Sequence, residues 1–375
     1  MFNYYILVSG CAMRGVEAQR VSKYLTINGG KETDLEHAEI IAFFTCSIIS
    51  NTEEATLDYL KKFIPLNKRI ILLGCSPGMI SDKIQEVFRG EMLATKDLER
   101  IDEFFPDFKI KFDETGLPTE CHFNFPYGPV YLADFIKYLP LSNRIRKLKP
   151  QLIVTSKGCN NACNYCSVRR ALGPLKNYRW DEILERYKNA VKKGHKVFVF
   201  NGDDTGAFLS DDKKTFADLL FALDSISGNR KIRWIIDNFH PQWFLKYFDC
   251  IEKLSQKNRI VEIIVPLQSA SDNMLLSMRR KHTVAEVQEK MQHIKKSAPE
   301  LAIRTHFIIG YPGETEQDIT LIKQLTDKNY FSHIVLLRYF ESGGPSSEKL
   351  QPKIPHDIIE KRIIDLRDYI QNKKI

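Results

Sequence analysis

The sequence predicts an α/β protein: an N-terminal parallel-sheet domain of Rossmann or flavodoxin-like type, followed by a partial (β/α)6 barrel. Two observations carry this. Three early apolar runs, "YYILVSGC" (4–11), "IIAFFTC" (40–46) and "RIILLGC" (69–75), alternate with helical patterns. From Gln151 onward six further apolar runs recur with helical patterns between them. Such alternation builds parallel sheets, because each crossover helix returns the chain to the same sheet edge.

In the first domain the helices are expected at "EAQRVSKYL" (17–25) and at "NTEEATLDYLKKF" (51–63), the second opened by Ser50 with Glu53 at capping-box spacing. Residues 1–90 form this domain. Residues 91–150 read as a connection: a helical pattern at "KDLERIDEFF", a turn-rich stretch at 113–129, a helix at "VYLADFIKYL" (130–139) and a basic run "RIRKLK" (144–149). Residues 151–375 form the barrel. Its strands are "QLIVTSKGC", "KVFVFNG", "KIRWIID", "VEIIVPLQ", "IRTHFIIG" and "HIVLLRYF", with helices such as "WDEILERYKNAVKK" and "TFADLLFALDSI" between them and one more at the end.

A chain of 375 residues that is 43% hydrophobic can bury two cores. It contains no apolar run of the roughly 20 residues a membrane span needs, and "MFNYYILVSG" has no basic head or cleavage site, so a cytoplasmic location is expected. Eight cysteines then read as thiolate ligands rather than disulfides. The net charge of +8 permits an anionic partner without demanding one.

Where the cysteines fall is the informative part. Cys11, Cys46 and Cys75 each close a strand, and parallel strands present their C-terminal ends on one edge, so three cysteines distant in sequence are expected to meet. "GCNNACNYC" (158–166) holds Cys159, Cys163 and Cys166 just after the first barrel strand. Thiolates suit zinc or iron-sulfur clusters. A structural zinc wants a fourth ligand, and no histidine follows at finger spacing. An iron-sulfur cube on three cysteines would leave one iron open to a ligand from outside the protein. Cys121 and Cys250 read as ordinary packing or loop thiols.

The C-x3-C-x2-C triad with Tyr165 before its last cysteine resembles the radical SAM enzymes. Together with the N-terminal triad, "PLQSASDNMLLSMRRKHT" (266–283) and "FIIGYPGETEQDI" (307–319), it resembles the radical SAM methylthiotransferases. This resemblance implies replacement of C–H by C–SCH3 and two 4Fe-4S clusters. One, on Cys159, Cys163 and Cys166, would bind S-adenosyl-L-methionine (SAM); the other, on Cys11, Cys46 and Cys75, would present sulfur. It also implies an electron donor such as a flavodoxin or ferredoxin. It places Tyr165 near the adenine, Asp203 and Asp204 at the SAM ammonium, Gln268, Ser269 and Arg279 at the carboxylate or ribose, and Gly310 with Gly313 and Glu314 at a turn beside them. Arg280 is expected in a surface ion pair.

Three departures from the family pattern stand out: "NGDDTGAF" (201–208) where a Leu-Gly-Gln segment is usual, Arg14 where asparagine is usual, and an end at Ile375 without a C-terminal TRAM barrel. The last favours a small molecule or peptide as substrate, narrowly ahead of tRNA. The rival readings are sulfur insertion without methylation and a non-catalytic nucleic-acid-binding iron-sulfur protein.

Overall fold

The computed structural model describes residues 1–47, 50–117, 150–341, 344 and 346–373. These fall into two compact units. The first comprises residues 1–117 with 167–174, 340–341 and 344; the second comprises 150–166, 175–339 and 346–373.

The first unit is built on a five-stranded, wholly parallel sheet in the order β2-β1-β3-β4-β5. Its strands are β1 (Phe2–Val8), β2 (Gly30–Glu32), β3 (Ile40–Thr45), β4 (Arg69–Gly74) and β5 (Glu91–Ala94). The central strand β3 is buried at every residue because both its faces are covered, which is why it reads as an unbroken apolar run. On one face Ala42 and Phe44 join Val21, Tyr24 and Phe112; on the other, Ile41 and Phe43 join Leu60 and Phe63. The expected helices form at Ala12–Ile27 and Ser50–Phe63.

This unit runs past the boundary expected at residue 90. β5 pairs with β4, and the segment "KDLERIDEFF" forms a 3-10 helix (Thr95–Phe104) whose Leu98 and Ile101 enter the core with Phe105 and Phe112. β2 and β5 are only three and four residues long, too short to show a pattern of their own; their pairing comes from backbone hydrogen bonding to a neighbouring strand. The helix expected at 130–139, Cys121 and the basic run 144–149 lie outside the described residues.

The second unit has strands in the order β12-β11-β10-β9-β8-β6-β7. Six are parallel: β6 (Gln151–Lys157), β8 (Val197–Gly202), β9 (Arg233–Ile236), β10 (Ile260–Ile264), β11 (Ala302–Ile309) and β12 (His333–Arg338). β7 (Lys176–Asn177), unforeseen, pairs antiparallel with β6. Helices cover one face, where Phe198, Phe200, Trp234, Ile263 and Ile303 pack against Tyr187, Leu219, Ile251 and Val287. Strand alternation turns Glu262 and Arg304 to the opposite face, where their side chains pair at 3.2 Å with almost no exposure. Capping boxes at Thr215/Asp218, Thr283/Glu286 and Thr315/Asp318 start three of the helices. Among the described residues no helix is long and apolar enough to cross a membrane.

Candidate functional site

The loop after β6 is held on two sides. Gly158, at φ +80, turns the chain, and its N–H donates to Asp203 Oδ2 at 2.7 Å. Asn161 then gives Cys159 Sγ two donors, its backbone N–H at 3.4 Å and its Nδ2 at 3.3 Å. The same Nδ2 donates to Asp204 Oδ2 at 2.6 Å, and Trp243 Nε1 donates to Asp204 Oδ1 at 2.8 Å. Gly206 admits this tryptophan, since a Cβ there would stand 2.4 Å from the indole. Asp203 and Asp204 therefore brace the cysteine loop. Burial lifts the Asp204 carboxyl to about 6 against the pull of its two donors.

Downstream, Asn164 ties the loop to the segment after β10. Its N–H donates to Met278 O at 3.1 Å and its Nδ2 to Ser277 O at 2.6 Å. Arg280 lies here. It is buried, contrary to the surface ion pair expected, and its Nη1 donates to Tyr165 Oη at 3.1 Å and approaches Cys163 Sγ at 3.7 Å, while Nη2 donates to Pro266 O. Arg279 is the exposed one. At φ +57 it occupies a left-handed turn, so that consecutive side chains diverge and its neighbour points inward. The Tyr165 ring rests against Met278, Ile308, Tyr311 and Tyr339.

Gln268 also has a positive φ, +75, and pairs through its backbone with His306 O and Ile308 N; its buried Oε1 has no partner among the described residues. Ser269 Oγ accepts from Ser271 N at 3.2 Å. His282, edge-on to His240 at 6.0 Å, has no partner on either ring nitrogen among the described residues, and burial beside Arg280 lowers it to about 3, so the ring is neutral. Gly310 serves the turn: its φ is +87, its N–H donates to Glu314, and a Cβ would collide with Ile359.

In the first unit Cys11, Cys46 and Cys75 follow β1, β3 and β4, three adjacent strands. Register brings the ends level: Ser9 N donates to Phe44 O, and Cys75 N to Thr45 O. Gly74, at φ +103, makes the final bend, and any Cβ there would lie 2.5 Å from Thr45 O. Cys46 and Cys75 are buried and Cys11 is exposed. Burial drives the Cys75 thiol far above its usual range, with Cys46 and Cys11 adding to the rise and Arg14 opposing it. Cys250 is buried in the barrel core and donates weakly to Ala217 O, a packing thiol as expected.

Among the described residues no group of three His, Cys, Asp or Glu gathers as a shell for one metal ion. A cubane sets its thiolates on separate irons, farther apart than a single ion does. Both cysteine sets fit that larger cage in donor chemistry: soft sulfur, from one short loop or from adjacent strand ends, with N–H donors already aimed at Cys159 and Cys75. Loading requires thiolates, so it releases protons, and more reluctantly from the buried Cys75 and from Cys159, which burial raises to about 11. Of the residues this geometry adds, Asn161 is visible in sequence as an amide beside a cysteine. Trp243, Arg280 and His282 have no comparable local signal.

Residues 153–325 match the radical SAM superfamily, and residues 3–94 match the uncharacterized protein family UPF0004. The chain is 27% identical over 96% of its length to the "Probable threonylcarbamoyladenosine tRNA methylthiotransferase" of Pyrococcus abyssi, covering 82% of that protein. It is 27% identical over 97% of its length to the tRNA-2-methylthio-N(6)-dimethylallyladenosine synthase of Lawsonia intracellularis (81% covered), and 22% identical over 97% to the ribosomal protein uS12 methylthiotransferase of Clostridium novyi (80% covered). Among solved structures, the radical S-adenosylmethionine methyltransferase TsrM from Kitasatospora setae shares the fold with a TM-score of 0.65 at 9% identity, covering 90% of this chain and 75% of that one.

Proposed function

We propose that this chain is a radical SAM methylthiotransferase that converts a C–H bond of an adenosine in tRNA to C–SCH3 with two 4Fe-4S clusters, held by Cys159, Cys163 and Cys166 and by Cys11, Cys46 and Cys75. S-adenosylmethionine is the cosubstrate. When bound on Cys159, Cys163 and Cys166, a cluster would supply the electron for reductive cleavage of S-adenosylmethionine, and one on Cys11, Cys46 and Cys75 would supply the sulfur. The electron would come from a donor of the flavodoxin or ferredoxin class. The observation that carries the two-cluster reading is the second triad, at the level ends of three adjacent parallel strands.

This chain's residues prepare the barrel site. Asp204 and Asn161 orient Cys159, and Arg280 fixes Tyr165 against Cys163. Gln268 Oε1 and the neutral His282, buried polar groups without partners among the described residues, are suited to contact the cosubstrate. Asp203, Ser269 and Gly310 complete the proposed contact set, the last as the turn that shapes it, while the exposed Arg279 gives its place to Arg280. tRNA is preferred because the relatives named for tRNA are 27% identical to this chain, against 22% for the one named for ribosomal protein uS12.

Two measurements test this. Alanine at Cys159, Cys163 and Cys166 should remove half the iron and all 5'-deoxyadenosine formation. Alanine at Cys11, Cys46 and Cys75 should also remove half the iron but leave abortive cleavage. Parent protein that holds a single cluster would refute the two-cluster reading. For the substrate, RNA from a deletion strain should lack one methylthiolated nucleoside; an unchanged nucleoside profile, with a peptide or metabolite losing its methylthio group, would move the substrate to that class.

A further inference from the structure

Arg14 has no exposed surface, and the proposed reaction assigns it no role. It stands in the first turn of the helix Ala12–Ile27, and Gly10 makes room for its stem: a Cβ at residue 10 would lie 2.9 Å from Arg14 Cγ. Its Nη1 donates to Cys75 Sγ at 3.1 Å and also to Thr95 Oγ1. Glu17 Oε2 lies 3.0 Å from Arg14 Nε, and Thr95 Oγ1 donates to the same carboxylate at 3.3 Å. The guanidinium is thus fixed from two sides with one edge on a cysteine sulfur. Burying a cation costs several kcal/mol unless anions answer it, and arginine cannot escape by losing its proton. One carboxylate answers part of that charge. Thiolates around a cluster on Cys75 would answer it from the sulfur side as well.

We propose that Arg14 positions Cys75 and sets the potential of the N-terminal cluster, its fixed positive charge and its hydrogen bond to Cys75 Sγ favouring the one-electron-reduced, more negative state. The proposal rests on the two-cluster reading above. The electron is supplied by the low-potential donor already invoked and no bond is made or broken. The added charge spreads onto the coordinating sulfurs, where hydrogen bonds and nearby charge are known levers on the potential. Glu17 works in the opposite direction, because its carboxylate cancels part of the field that Arg14 exerts on the sulfur.

The opposed signs give the test. In the full chain with Cys159, Cys163 and Cys166 replaced by alanine, only the N-terminal triad holds iron. Dithionite titration followed by electron paramagnetic resonance then reads that cluster alone. Arg14→Gln should lower the ratio of reduced to oxidised cluster at fixed potential on the order of tenfold, which is about 59 mV for a one-electron couple. Glu17→Gln should move the midpoint upward. If Arg14→Gln fails to take up iron, Glu17→Gln still decides the matter. Midpoints that shift in the same direction, or a Glu17→Gln midpoint that stays put or falls, would overturn the proposal while leaving two clusters in place. A parent with no iron at this triad would remove the two-cluster reading itself, and the proposal with it.

Discussion

Replacing Asp204 with asparagine should loosen the barrel cluster without disturbing the barrel. The carboxylate is 4% exposed and accepts from two donors, Asn161 Nδ2 at 2.6 Å and Trp243 Nε1 at 2.8 Å. An amide of the same shape offers one oxygen and turns an NH2 toward the other donor. One hydrogen bond is lost and a buried N–H is stranded, a cost of about 1–3 kcal/mol. Because Asn161 is also the residue that points at Cys159 Sγ, part of that cost falls on the cluster; changes to such supporting partners weaken metal binding about 10- to 100-fold. The assay uses full-length protein with Cys11, Cys46 and Cys75 replaced by alanine, so that only barrel iron is counted. After anaerobic reconstitution, a chelator is added and loss of the cluster absorbance is timed. Asp204→Asn should release iron at least about tenfold faster. Adding Trp243→Phe should recover part of the loss, since it removes the stranded donor. Equal release rates in Asp204→Asn and its parent would show that the contact is incidental to cysteine placement.

Gly74→Ala should empty the N-terminal triad alone: a side chain at φ +103, 2.5 Å from Thr45 O, cannot be accommodated without moving the backbone that delivers Cys75, so purified protein should lose half its iron and keep 5'-deoxyadenosine formation. Burial raises Glu262 to about 7 even with Arg304 beside it, so the folded chain keeps a proton that the unfolded chain releases near 4.5; stability should fall as pH rises from about 4.5 to about 7 and level off above. Arg304→Met removes the compensating charge and extends this window upward. Its denaturation midpoint should therefore drop much more at pH 8, where a cost of about 3–5 kcal/mol is expected, than at pH 5, and an equal drop at both would contradict the assignment.

What could be read from sequence follows from how strongly each position is constrained locally. β3 and the barrel strands are covered on both faces or packed under helices, so burial writes itself as an apolar run, and the cysteines closing those runs align from the sequence alone. β2, β5 and β7 have two to four residues each and take their pairing from a neighbour's backbone, so no side-chain pattern announces them. The inward turn of Arg280 depends on a left-handed Arg279, which arginine does not advertise. Trp243 reaches Asp204 only because Gly206 leaves space between them, a three-body fact that no spacing rule encodes. Arg14 was visible as a departure from a familiar pattern. Its contact with Cys75, across more than sixty residues of chain, was not.

The segment Ser167–Pro174 belongs to the first unit although it follows the third barrel cysteine, and its short helix, Arg169–Leu172, packs Ala171 against Gly78 and Leu172 into the apolar layer around Cys75 and Met79. Neither unit is therefore a single stretch of polypeptide. On the ribosome the N-terminal sheet emerges first but lacks the Ser167–Pro174 piece until that has been synthesised, by which time β6 and the cysteine loop are already out. A protease cut in the region 118–149 would sever the chain without separating two self-sufficient fragments, since the carboxyl-terminal piece would still carry part of its neighbour's interior. Exchange of either half between relatives by simple recombination would break this interleaving, so the two halves are expected to be inherited together.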